Sequence, residues 1–282
     1  MKTNKSVIML ARYMVLGVIF TVIYTTCPFN NDEPGTITVN SLSEVEKKLS
    51  AYPYGNSIIN PLEVRVNMDI GDLSQPGNDY LRLIEIIGNS GLYVKLFLGG
   101  AGMGGTTVFT TPPLNNAAKG MDKIIRIQLP GSAASVMAAS NEISPFLFYE
   151  KLVEVRFDGI GLPEIGDFAF SSCKNLKEIN MRSAVKTIGR EAFKGCDNLE
   201  SVSFGPSLET IEDKAFFDCG FLRRIRLTGM PPYLGDSVFM GSTPSGLTFS
   251  IEENEWLYRG WKAENALKFN NEGKDVVFKV GN

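Results

Sequence analysis

The sequence of 282 residues contains no histidine. Histidine is the side chain whose charge changes near neutral pH and the usual base of nucleophilic catalysis. Its absence excludes Ser-His-Asp and Cys-His chemistry and any His-ligated metal within this chain. Cysteine is scarce as well, at four residues. Three of these, Cys173, Cys196 and Cys219, recur at a step of 23. Zinc needs ligands that converge on one point, and a line of single cysteines does not supply that. Their odd number also argues against a fully paired disulfide framework. Buried free thiols that pack as small apolar groups are the expectation, with no metal and no cofactor.

Charge of one sign is also lacking. The formal net charge is −3. Lys2, Lys5 and Arg12 precede Cys27 in a stretch without Asp or Glu, so a chain starting at Cys27 keeps 25 basic and 31 acidic residues, or −6. That balance argues against nucleic acid as the main partner, although it leaves room for a local basic patch. No apolar run is long enough for a comfortable membrane span; Met14 to Tyr24 (MVLGVIFTVIY) is the nearest. Gly99 to Gly105 is glycine-rich but lacks the Lys-Ser/Thr of a phosphate loop, so it reads as a flexible loop.

The first 27 residues have the layout of an export signal: a basic start, a short apolar core, small Thr25 and Thr26, then Cys27. This resembles a bacterial lipobox, which implies that Cys27 is lipidated and anchors the chain to a membrane. Tyr24 and Thr26 depart from the usual residues there, so a cleaved signal without lipid, an uncleaved anchor and a buried helix remain alternatives. Residues 28–39 read as a tether.

What the sequence does have is a repeat. Ile165-Gly166 recurs as Ile188-Gly189, Ile211-Glu212 and Leu234-Gly235, and Ala169-Phe170 as Ala192-Phe193, Ala215-Phe216 and Val238-Phe239. Leu176 recurs as Leu199 and Leu222, again 23 apart. A fixed step of this size means stacked units, each too small to bury its apolar side alone. Within a unit, Leu199 to Phe204 alternates as a strand, so stacked units form a parallel sheet. The Ile188 to Cys196 segment is expected to return as a helical turn, with Phe170, Phe193, Phe216 and Phe239 stacked inside. Gly166 and Gly189 are expected to supply tight turns with positive φ; Glu212 in the same place is the exception.

Upstream, Ser41 and Glu44 form a capping box ahead of a helix. Leu62 to Met68, Tyr93 to Leu98, Ile124 to Leu129 and Leu152 to Phe157 read as strands, Tyr80 to Ile87 as a helix and Ala133 to Ala139 as a helical turn. The inward series Val66, Leu98, Leu129, Phe157, Met181, Phe204, Leu227 and Phe249 extends the coil backwards through wider turns. The chain therefore divides into a signal (1–27), a tether (28–39), capping and long degenerate repeats (40–151), regular repeats (152–251) and a cap (252–282). Trp256, Tyr258, Trp261, Ala263 and Leu267 suggest an aromatic helix in that cap, and Asp275 to Val280 a last strand.

The pattern L-x-x-I-x-x … I-G-x-x-A-F-x-x-C-x-x-L, clear from about Leu152 to Phe249, resembles the BspA-like leucine-rich repeats of bacterial surface proteins. The resemblance implies an α/β, β-rich, right-handed solenoid with a curved parallel sheet and short helical turns opposite it. It also implies no enzymatic activity, adhesion or protein binding through an exposed repeat face, and no catalytic residues.

Alternation leaves a second set of residues pointing out of the sheet: Arg65, Lys95, Phe97, Arg126, Gln128, Glu154, Arg156, Glu178, Asn180, Ser201, Ser203, Arg224 and Arg226. Stacking should set them in two columns, with six basic and two acidic members and Phe97 as the apolar anchor. They are the candidate face for a protein or other macromolecular partner; a solvated face whose charges block aggregation is the alternative. At the level of the whole chain the readings are an exported envelope or surface binder, a structural assembly component, and, remotely, a carboxylate-based hydrolase.

Overall fold

A computed structural model describes residues 35–52, 56–110, 119–138, 143–157, 161–181, 185–242, 247–251 and 277–280, residues 258, 260, 261 and 265, and, in a separate N-terminal unit, 9–15 and 18–24. In that unit Met9–Val15 pairs antiparallel with Val18–Tyr24. Cys27 and the segment 28–34 lie outside the described residues, as do Trp256, Ala263 and Leu267. Among the described residues no helix is long and apolar enough to cross a membrane.

The main unit begins at Gly35. Its broad sheet holds ten strands: Thr36–Val39, Leu62–Val66, Val94–Phe97, Ile124–Gln128, Glu154–Arg156, Glu178–Met181, Ser201–Phe204, Arg224–Leu227, Thr248–Ile251 and Val277–Val280. They are parallel and lie side by side in chain order. Parallel neighbours in chain order require the chain to return along another side each time. In the first two turns that return is helical. Leu42–Ser50 starts at Ser41, whose hydroxyl accepts from the Glu44 amide, while the Glu44 carboxylate accepts from the Asn40 amide. Asp79–Ser90 ends at Gly91 in the left-handed region.

Later returns carry a second, narrow parallel sheet of two-residue strands: Val108–Phe109, Ser135–Val136, Glu164–Ile165, Thr187–Ile188, Thr210–Ile211 and Tyr233–Leu234. Two expectations change here. Ala133 to Ala139 contains the strand Ser135–Val136 rather than a helical turn, and Ile188 to Cys196 is a strand end followed by turns. Each regular turn bends through left-handed residues at matching places: Phe168, Glu191, Lys214 and Ser237, with φ from 53° to 56°, then Ser172, Gly195, Asp218 and Gly241. This conformation aims backbone N–H groups at the next turn. Phe168, Glu191 and Lys214 donate to the carbonyls of Arg190, Asp213 and Asp236 at 3.0, 3.0 and 2.9 Å.

The glycines have a different role from the one expected. Neither Gly166 nor Gly189 has positive φ. They are glycine because the turns approach too closely for a side chain. A Cβ on Gly189 would lie 2.6 Å from the Asp167 amide nitrogen, and one on Gly235 2.4 Å from that of Asp213. The same aspartates accept from the following turn: Asp167 Oδ1 from the Arg190 amide at 2.8 Å, Asp213 Oδ1 from Asp236 at 2.7 Å. Glu212 follows a turn with Arg190 in that place, so no aspartate closes over it.

The core runs unbroken along the stack. Phe170, Phe193, Phe216 and Phe239 stack as expected, at 5.2, 5.0 and 5.6 Å between ring centroids. The ladder continues backwards through Phe146 at 4.9 Å and Phe109 at a further 5.7 Å. All eight expected inward strand residues are buried. The register corrects one equivalence: Leu227 pairs with Ile251, and Phe249 with Ile225. A second correction concerns the tether, whose last residues Thr36–Val39 form the first strand of the sheet. At the far end Tyr258 and Trp261 are buried, and Trp261 donates to the Pro232 carbonyl at 2.6 Å.

Candidate binding face

Every residue of the repeat signature is buried: Ile165, Ala169, Phe170, Cys173, Leu176 and their counterparts. The surface chemistry of the repeats therefore rests with the side chains between them. Strand periodicity sends alternate residues to the outer side of the broad sheet, and the register aligns them in two columns. One runs Thr36, Glu63, Lys95, Arg126, Glu154, Glu178, Ser201, Arg224, Thr248. The other holds Thr38, Arg65, Phe97, Gln128 and Arg156, and, further along, Asn180, Ser203, Arg226, Ser250 and Lys279. Every residue expected on this face has its backbone there; the Asn180 side chain lies outside the described residues.

Thr36, Thr38, Glu63, Thr248, Ser250 and Lys279 were missed. The alternation in Leu62–Val66 already marks Glu63. The partners of Thr248, Ser250 and Lys279 depend on a register that the lost 23-residue step conceals.

Glu63 changes the electrostatics, because its carboxylate lies 2.6 Å from the Arg65 guanidinium. Glu154 sits between two arginines, 3.0 Å from Arg126 and 2.5 Å from Arg156. Pairs this exposed contribute little to stability. Their main effect is to fix arginine geometry and to reduce the positive charge over the first half of the face. Phe97 is half-buried between Arg65 and Gln128, so it offers a partial apolar surface. Arg224 and Arg226 are exposed.

The buried titratable groups serve the core. Cys173, Cys196 and Cys219 are free thiols that donate to the carbonyls of Phe146, Phe170 and Phe193 at 3.8, 3.1 and 3.0 Å. Ser242 takes the same place in the next turn and donates to Phe216. The thiols thus act as hydrogen-bond donors as well as small packing groups. Burial raises all three; Cys173 is pushed up to about 12. Among the described residues no group of three or more Cys, Asp and Glu gathers to hold a metal ion.

Residues 125–254 match the BspA-type leucine-rich repeat region, in six copies. The repeat region belongs to the BspA-type leucine-rich repeats. Among the described residues, open parallel sheets with few helices make this chain a β-rich α/β repeat solenoid. It is similar to the solved leucine-rich repeat protein TpLRR of T. pallidum, at 21% identity over 61% of this chain and 86% of that one, with a TM-score of 0.37. A leucine-rich repeat protein from Bacteroides ovatus ATCC 8483 shares 18% over 52% and 58%, with a TM-score of 0.25. The pneumococcal vaccine antigen PcpA shares 12% over 98% and 100%, with a TM-score of 0.28. No curated protein matches the chain.

Proposed function

We propose that this chain is an exported, non-enzymatic repeat protein of the cell envelope or surface that binds a protein or other macromolecule through the outer face of its broad sheet. The observation that carries this reading is the separation of roles along the strands. The repeated residues are buried in one core, and the unrepeated ones form two side-chain columns on a parallel sheet. Extended repeat faces of this kind suit large partners rather than small ligands. A binding rather than catalytic role is supported by the thiols, which are protonated, buried and hydrogen-bonded to carbonyls, the opposite of an activated nucleophile.

Charge reversal at Arg156, Arg224 and Arg226 tests the face. Pull-down from host extracts and bacterial envelope should lose the captured partner while the melting temperature stays unchanged. Undiminished capture by a folded triple variant would reject this face. Anchoring through a lipid at Cys27 is a separate part of the proposal, supported by the basic start, apolar core and cysteine of the first 27 residues. Mass spectrometry of the mature N-terminus decides it, since an unmodified peptide spanning Thr26 and Cys27 excludes the lipid.

A further inference from the structure

The most exposed large apolar side chain among the described residues is Ile59, at 96%, and Ile58 beside it is half exposed. A tight turn holds the pair. The Asn60 amide donates to the Ser57 hydroxyl at 3.2 Å and the Ser57 amide to the Asn60 carbonyl at 3.5 Å, which leaves the two isoleucines at the tip. The turn is also fastened to the body of the solenoid. The Asn56 side-chain amide donates to the Tyr93 carbonyl at 2.8 Å, and its oxygen accepts from the Tyr93 amide at 2.5 Å. Single exposed apolar residues are ordinary. An adjacent β-branched pair presented to water from a braced turn is not, and at this exposure packing gives no reason for it.

The surroundings of the turn have the chemistry of an interface. Parallel strands all begin along one edge of the broad sheet. Gly35, Asn60, Tyr93 and Lys123 stand just ahead of its first four strands, and Lys151 ahead of the fifth. The ammonium groups of Lys123 and Lys151 each lie 4.9 Å from the centre of the Tyr93 ring, and Lys151 donates to the Tyr93 hydroxyl at 3.2 Å. Asp122 lies 3.1 Å from Lys123, so the group sets two ammonium groups against one carboxylate. The chain enters the sheet at this same edge. The Glu63 amide donates to the Gly35 carbonyl at 2.9 Å, and the Leu62 amide to the Tyr93 carbonyl at 2.8 Å. Cys27 precedes Gly35 by eight residues, a reach of at most about 29 Å.

We propose that the Ile58-Ile59 turn inserts into the membrane that carries the Cys27 lipid, with Lys123, Lys151 and Tyr93 against its anionic headgroups. This rests on the lipid-anchor reading and adds how the folded part meets the bilayer. Isoleucine side chains gain by leaving water for the acyl boundary. A turn already closed by Ser57 and Asn56 loses little freedom when it enters. Tyrosine suits the headgroup level, and lysine stems lie along apolar surface while their ammonium groups stay among the phosphates. Attraction to anionic lipid decays within about 10 Å at 0.1 M salt. An acidic chain is therefore not drawn from afar; the anchor supplies nearness and the turn supplies orientation. With this edge against the bilayer the strands run away from it, and both columns of the outer face stay open to a partner.

Tryptophan fluorescence of the full chain reconstituted in vesicles tests the contact. The vesicles are phosphatidylcholine with phosphatidylglycerol, with or without bromine on the acyl chains. Ile59→Trp reports on the turn, and Met240→Trp is the comparison, at a 49% exposed site toward the far end of the stack. Emission above that of the parent should fall about twofold or more in brominated vesicles for Ile59→Trp and stay level for Met240→Trp. Lys123→Ser/Lys151→Ser, or vesicles without phosphatidylglycerol, should reduce that quenching while circular dichroism stays unchanged. Quenching indifferent to both changes overturns the role given to the lysines. Equal quenching at the two positions, or none at Ile59→Trp in a chain that floats with the vesicles, overturns the proposal and leaves the anchor intact. A chain that does not float with vesicles overturns it as well. So does an emission shift that grows with protein concentration and needs no vesicles, which assigns the turn to a second copy. The anchor fails on its own test, the unmodified peptide spanning Thr26 and Cys27.

Discussion

The thiol of Cys196 occupies a site where a hydrogen-bond donor is wanted and a charge is not tolerated. Its Sγ donates to the Phe170 carbonyl, and Ser242 fills the equivalent site one turn beyond Cys219. The column selects for a small donor, which is why a hydroxyl replaces the sulfur without a change of turn. Burial raises the thiols, above all by desolvation, and Cys173 reaches about 12. In the unfolded chain they ionise near 9.0. A raised folded-state value means stability that is fully present below the unfolded pKa and is lost as pH rises through the folded one. The thermal midpoint should thus be level between about pH 6 and 8 and fall above about 9, as the unfolding free energy drops by up to about 1.4 kcal/mol per pH unit for each thiol. Replacing Cys196 and Cys219 by serine should flatten that fall, as melts across the pH series will show. Gly189 tests the contact between turns in another way. Gly189→Ala sets its Cβ against the backbone of Asp167, and chemical denaturation should register a loss of about 1–3 kcal/mol.

At the scale of the element, the ladder from Phe109 to Phe239 fixes the thickness of every turn, because each ring packs between two others at 4.9 to 5.7 Å. Phe193→Ala removes a ring held between Phe170 and Phe216, and should destabilise the protein by about 3–5 kcal/mol in denaturant titration. A loss below about 1 kcal/mol would show that the turn closes over the gap. The ladder was legible in the sequence from Phe170 onward, since one step carried it. Phe146 and Phe109 escaped because their turns are longer, 24 and 37 residues before the next ring. The narrow sheet was hidden for a different reason. Two residues are too few for alternation to show, and the left-handed positions that follow carry Phe168, Glu191, Lys214 and Ser237, which share no side-chain property. Thr36–Val39 was masked by its neighbours, Pro34 and Gly35, which read as tether.

On the scale of the whole molecule, the two columns were readable as a set, but their charge balance was not. Alternation assigns a residue to a face; it does not say that Arg126 meets Glu154, which depends on pairing strands 28 residues apart. The same nearest-neighbour construction governs stability. Each turn touches the turns before and after it, so opening an end breaks one interface and opening the middle breaks two. Amide protection should therefore rise from the end strand Thr36–Val39 toward Ser201–Phe204, where strands pair on both sides and the phenylalanine ladder runs beneath. Hydrogen exchange followed by mass spectrometry measures this gradient. Phe193→Ala should then lower protection most in Glu178–Met181 and Ser201–Phe204, and progressively less in strands farther away. If protection instead drops by one amount in every strand, the solenoid opens as a single cooperative unit, and partner contacts at Arg224 and Arg226 would stabilise Thr36–Val39 as much as the strands beside them.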